Sequence, residues 1–143
     1  MPQEYLKSEM EKLPDRGVYL LLIFKDNEEE IRVGALGRIK FDMGYYVYVG
    51  SAQRNLRKRL ERHFRKEKKV RWHIDYLLSR ARILDFYARN YPKSYEEKIA
   101  IKLGEKYSYI PNFGSSDSRT PSHLFKIEKN DWLCIKKFLR DFK

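Results

Sequence analysis

Arg59 and His63 stand four residues apart, so a helix carrying them would show both on one face. A guanidinium held there can balance the charge that builds on a phosphorane, and an imidazole can orient a phosphate or share a proton. Glu96 precedes Ile99, Ala100 and Leu103 at i+3, i+4 and i+7, which sets a carboxylate on an apolar stripe. A carboxylate in that position is costly unless it is paired or bound to a metal. Hydrolysis of a phosphodiester needs a placed water, a positive group on the developing charge and help for the leaving oxygen. A metal-holding acid, a fixed arginine and a proton acceptor supply those parts. Each residue also has a plainer account. Arg59 can be an ordinary snorkelling arginine, His63 a half-buried histidine, and Glu96 an acid favoured by the first turn of its helix. The chain has 11 tyrosines, and any one of them is more often packing than chemistry. His73, Asp75 and His123 lack the spacing of a compact metal site.

The elements that must position these groups can be read from periodicity. Gly17 to Phe24 (GVYLLLIF) is a central strand, Lys25-Asp26-Asn27 a turn, and Glu30 to Val33 a second strand. Gly34 and Gly37 punctuate the chain before a short strand from Arg38 to Phe41. Gly44 to Gly50 follows as a strand with Tyr46, Tyr48 and Gly50 on one side and Tyr45, Val47 and Val49 on the other. A helix from about Asn55 to Arg65 carries Leu56, Leu60 and Phe64 as its core stripe. Arg59 and His63 lie beside that stripe, while Lys58 and Arg62 point further toward solvent. Arg71 to Arg82 reads as a second helix with Trp72, Tyr76 and Leu77 inward, and Ile83 to Ala88 as a strand. Ser94 can cap a helix running to Lys106, with Glu97 completing a capping box. Asn112 to Pro121 is loop-like, His123 to Ile127 a short strand, and a last helix starts at Asn130 or Asp131. That helix turns Trp132, Ile135, Leu139 and Phe142 inward. The mixture is α+β: a small mixed or antiparallel central sheet flanked by helices, in one domain over residues 1–143.

Charge narrows the function classes. Lys and Arg number 31 against 20 Asp and Glu, a net +11 with a sequence pI near 9.7. Such a domain attracts polyanions, nucleic acid first and anionic membrane second. Lys and Glu enrichment for heat stability accounts for the amount of charge but not for its imbalance. The excess also clusters between Arg54 and Arg71, where only Glu61 and Glu67 oppose it. Arg54, Arg57, Lys58, Arg62, Arg65, Lys68, Lys69 and Arg71 are therefore expected to meet nucleic acid. The longest apolar run, Val18 to Phe24, is far short of a membrane span, and Met1 to Leu13 is unlike a signal peptide. One cysteine, Cys134, makes neither an internal disulfide nor a cysteine-rich zinc site, and a reducing cytoplasm is the expected location.

Gly17-Val18-Tyr19 and Tyr48-Val49-Gly50 resemble the two half-motifs of the GIY-YIG nuclease superfamily. Asn55-Leu56-Arg57-Lys58-Arg59-Leu60 is similar to that family's first helix, with the motif arginine at Arg59 and a histidine of several members at His63. Glu96 falls where the metal-binding glutamate would lie, and Asn112 at the distance of a following polar residue. Gly34-Ala35-Leu36-Gly37, Gly44 to Ala52 and Trp72-His73-Ile74-Asp75-Tyr76-Leu77 resemble the Uri-type branch of small archaeal and bacterial proteins. Phe113-Gly114-Ser115-Ser116-Asp117 and Ser122-His123-Leu124-Phe125 continue the likeness, which spans about residues 17–125. These segments add His73, Asp75, Asn112, Ser116, Asp117 and His123 as further candidate site residues. Members often carry cysteines near Ser118 to Thr120, where this chain has none.

The resemblance implies an endonuclease that holds one Mg²⁺ or Mn²⁺ on Glu96 and cuts nucleic acid, DNA in preference to RNA. Tyr48 would orient the attacking water and take its proton, with Tyr19 bridging to it. Arg59 would bind the transition-state phosphate, and His63 would orient the phosphate or share the proton load. Two rivals stand beside this expectation: a nucleic-acid-binding module that does not cut, and an interaction domain whose charge serves solubility.

Overall fold

The computed structural model describes residues 3–115 and 119–143. The central strand β1 (Gly17–Lys25) pairs antiparallel with β4 (Gly44–Ala52) on one side and β5 (Arg82–Arg89) on the other. A short strand, β6 (Leu124–Ile127), closes the far edge of β4, so the sheet order is β5-β1-β4-β6 and every pairing is antiparallel. A separate hairpin joins β2 (Glu29–Arg32) to β3 (Arg38–Phe41). At the turn before it Lys25, fully buried, places Nζ 2.6 Å from Asn27 Oδ1 and 2.8 Å from Glu29 Oε1.

Period-two alternation divides the core. Tyr19, Leu21 and Ile23 face one cluster and Val18, Leu20 and Leu22 the other, which is why β1 is apolar on both faces. The first cluster is covered by α1 (Gln3–Glu11), α2 (Leu56–Phe64) and α3 (His73–Leu78) through Leu6, Met10, Leu56, Leu60, Ile74 and Leu77. The second is covered by α4 (Ser94–Lys106) and α5 (Asp131–Asp141) through Ile99, Ala100, Leu103, Trp132, Ile135 and Leu139. Tyr46 and Tyr48 join the first cluster, and Tyr45, Val47 and Val49 the second, as the alternation in β4 predicts.

Three local expectations need correction, and one element goes unannounced. The sequence pattern does not announce helix α1, whose inner face is buried by Leu6 and Met10, one turn apart. Helix α3 is shorter than Arg71 to Arg82 at both ends, and its start is set by Asp75, which turns back and accepts the N–H groups of Arg71 (2.9 Å) and Trp72 (3.0 Å). Ser94 is the first residue of α4 rather than its cap. Lys93 holds that position without a side-chain bond, and the N–H groups of Tyr95 and Glu96 go to the carbonyls of Pro92 and Lys93. Strand β4 also runs on to Ala52, which brings Ser51 into the sheet.

Candidate active site

Sheet register places the two motif tyrosines on one face. Tyr19 lies opposite Gly50, and Tyr48 opposite Leu21, so the phenols are diagonal neighbours on adjacent strands. Gly50 is there for lack of a side chain. A methyl on it would meet the Tyr19 ring and hydroxyl at 2.5 Å. Behind the rings stands His63 of α2, only 2% exposed, with Nε2 2.7 Å from the Tyr19 hydroxyl. Its ring centroid is 5.5 Å from that of Tyr19 and 6.2 Å from that of Tyr48.

The protonation of this pair follows from its surroundings. Burial, helped by the charge of Lys68, pushes the His63 pKa down to about 3, so the ring is neutral. Its Nδ1 is buried without a hydrogen-bond partner among the described residues. A stranded N–H costs more than a stranded lone pair, so the proton belongs on Nε2, donated to the Tyr19 oxygen. Tyr19 then keeps its own hydrogen for another acceptor. His63 does not line the cleft and lies behind Tyr19, to which it is hydrogen-bonded, and Tyr48. The Tyr48 hydroxyl has no hydrogen-bond partner among the described residues.

Both phenols are raised well above the ordinary tyrosine range. Burial is the main cause, the charge of Glu96 adds to it, and Arg59 works in the opposite direction. Neither tyrosine is therefore a base by itself.

Ser51 ties the charged groups together. Its hydroxyl donates to Oε1 of Glu96, and its carbonyl accepts from Arg59 Nη1 at 3.0 Å. The other carboxylate oxygen of Glu96 lies 3.3 Å from Nδ1 of His123, which is also 3.2 Å from the Val49 carbonyl. The Arg59 guanidinium stacks 4.6 Å from the Trp72 ring centroid, and that of Arg62 4.4 Å from it. Helix α2 is aimed by Asp15, which accepts from the N–H groups of Asn55 (3.2 Å, side chain) and Leu56 (3.0 Å, backbone).

These side chains surround one cleft of about 850 Å³. Tyr19, Tyr48, Arg59 and Glu96 line it together, with His73 and His123 of the further candidates. Gly50, Ser51, Arg71, Trp72, Lys93, Ser94, Glu97, Lys98 and Gly114 complete the wall. Residues on β1, β4, α2 and α4 thus converge. Asn112 is exposed and outside that lining, its backbone left-handed at φ 63°. Ser116 and Asp117 lie outside the described residues.

Asp75 has a structural duty. It accepts two bonds from Arg62, at 3.0 and 2.9 Å, and its side chain is wholly buried. Burial works to raise its pKa, but Arg62 and the N–H groups of Arg71 and Trp72 outweigh that and hold it below the usual value. Arg62 also donates to the Lys69 carbonyl at 2.8 Å, and Lys68 to the carbonyls of Arg62 (3.2 Å) and His63 (3.0 Å). The solvent-facing placement expected of Arg62 is thus overturned by a partner on another element. Arg54, Arg57, Lys58, Arg65, Lys69 and Arg71 are exposed. A second depression of about 460 Å³, lined by five cations including Arg65, Lys69 and Arg71 and by Glu67, shares Arg71 with the cleft.

The donor set in the cleft suits a cation that keeps most of its water. Among the described residues no group of three or more His, Cys, Asp and Glu surrounds a common metal position. Glu96 offers one carboxylate, about a fifth exposed, whose Oε1 keeps a lone pair after accepting from Ser51 and whose Oε2 lies 3.3 Å from His123 Nδ1. A single carboxylate with waters and a phosphate is a Mg²⁺-type arrangement.

Sequence reasoning misses Ser51 and Trp72 as site residues. A serine after a strand has no periodic signal, and Trp72 reads as core. No helix among the described residues is long and apolar enough to cross a membrane. The family model described as "Domain of unknown function DUF123" matches residues 18–143. No curated protein and no solved structure matches the chain.

Proposed function

The chain belongs to the DUF123 family, a domain of unknown function, and we propose that it is a metal-dependent GIY-YIG-type endonuclease of the Uri-type branch. It hydrolyses phosphodiester bonds of nucleic acid, DNA in preference to RNA, in the cytoplasm. One observation carries the reading: Tyr19, Tyr48, Arg59 and Glu96, from four different elements, line the same cleft.

Tyr48, whose hydroxyl has no partner among the described residues, orients the attacking water. Tyr19, held by His63, donates its own hydrogen toward the same place. Arg59, steadied by the Ser51 carbonyl and the Trp72 ring, meets the charge that builds on the phosphate. Glu96 is oriented by the Ser51 hydroxyl to hold Mg²⁺ or Mn²⁺. A cation held there would supply positive charge to the phosphate and to the leaving oxygen. Tyr48 Oη takes the water's proton, a transfer that Arg59 favours because its charge works to lower the Tyr48 pKa.

Labelled single-stranded, duplex and branched DNA and RNA, incubated with and without Mg²⁺, test the reading. Cleavage should need the metal, and Glu96→Ala or Arg59→Ala should slow it by roughly 10²–10³. Variants that cut as fast as the parent would end the assignment. The upward shift of both phenols favours the alternative of a binding module without hydrolysis. Salt-dependent binding with no metal-dependent product would establish that alternative.

A further inference from the structure

His73 opens α3, and its ring lines the cleft beside Arg71 and Trp72. Its Nδ1 accepts the Gly114 N–H at 2.8 Å. A ring nitrogen that accepts carries no proton, and burial lowers the His73 pKa, which favours the neutral ring. The single proton therefore sits on Nε2. Among the described residues no hydrogen bond engages that N–H. The loop that sets this tautomer is itself confined. Gly114 has φ +70°, and a Cβ there would press at 3.4 Å on both Tyr48 and His123. The Phe113 ring packs 5.7 Å from that of His73. The donor is thus set in direction before any substrate arrives.

We propose that His73 binds the substrate, its Nε2–H serving as a preset, uncharged hydrogen-bond donor to an oxygen of the nucleic-acid phosphate backbone. Arg59, Arg71, Lys93 and Lys98 line the same cleft, so an anion is the acceptor that the surroundings favour. A cation on a flexible stem attracts a phosphate from many directions, whereas a ring held at Nδ1 by the Gly114 N–H and packed against Phe113 accepts one placement. The contact also leaves a signature. It adds affinity without releasing a counterion, so it does not enter the salt slope. The inference rests on the cleft being where nucleic acid binds.

The test is equilibrium binding of fluorescein-labelled DNA in EDTA, over a range of salt, so that cleavage plays no part. His73→Asn keeps an acceptor for the Gly114 N–H but cannot reach the Nε2 position. We expect its Kd to rise roughly threefold to tenfold, the loss of one neutral hydrogen bond, with an unchanged salt slope. Arg71→Ala should instead weaken binding and lower the slope by about 0.9. His73→Gln places an amide N–H near the imidazole Nε2 position and should recover the affinity. If His73→Asn binds as tightly as the parent, the proposal falls while the nuclease reading stands. If His73→Asn is thermally destabilised, His73→Gln decides, and a weakened Kd there overturns the proposal. Absence of DNA binding by the parent protein would overturn both readings together.

Discussion

The hydroxyl of Ser51 donates to the carboxylate of Glu96, although 45 residues separate them in the chain. The same residue's carbonyl holds Arg59, so one serine sets the spacing between the acid and the cation of the cleft. Ser51→Ala removes the first tie and leaves the second. Supporting bonds of this kind typically contribute 10–100-fold to metal affinity or activity. We expect a Mg²⁺ titration of cleavage to move to higher concentration by about that factor, with thermal stability changed by less than about 1 kcal/mol.

Gly50 is where the sheet lets the Tyr19 ring cross. Gly50→Ala inserts a methyl 2.5 Å from that ring, so the phenol must leave its place against His63. Overpacking of this kind costs about 1–3 kcal/mol. Cleavage should fall much further than stability, which a thermal melt beside a cleavage assay would resolve. Equal rates for both proteins would show that Tyr19 is not needed where it sits.

His63 makes the fold sensitive to acid. Its pKa falls from 6.5 to about 3 on folding, so below pH 6.5 the unfolded chain takes up a proton that the folded chain refuses. Stability is full above pH 6.5 and declines as pH falls toward 3. His63→Gln should flatten the decline between pH 6.5 and 5, above the range where most carboxylates titrate. Melting temperatures of the two proteins across that window give the answer.

Asp75 is predicted to matter for folding. Asp75→Ala leaves the Arg62 guanidinium without its carboxylate and strands two N–H groups. Loss of one partner from such a pair costs about 3–5 kcal/mol. Urea unfolding should show a lower midpoint with an unchanged slope. Exposed Arg54, Arg57, Lys58, Arg65 and Lys69 should behave differently. Alanine at any of these positions should leave stability nearly unchanged, and should lower the salt slope of binding by about 0.9 wherever the side chain neutralises a phosphate.

Much of this site is legible in the sequence. Alternation in β4 put Tyr48 and Gly50 on one face, and i, i+4 spacing put Arg59 beside His63. Both rest on periods internal to a single element. What escaped was set by contacts between elements. Arg62 faces outward on a helical wheel, yet Asp75 and Trp72 of the next segment draw it in. Lys68 sits in a basic run but closes the end of α2 by donating to the carbonyls of Arg62 and His63. His63 reads as half-buried and is wholly covered, since Trp72 and both tyrosines close over it.

The chain holds two tryptophans, and they lie in opposite halves of the core. Trp132 belongs to the far cluster, whereas Trp72 is flanked by the guanidiniums of Arg59 and Arg62 at the mouth of the cleft. An indole's emission responds to charge against its ring. With Trp132 replaced by Phe, fluorescence becomes a single-lamp readout: any ligand that draws Arg59 off the indole announces its arrival as a change in colour or brightness, with no label attached.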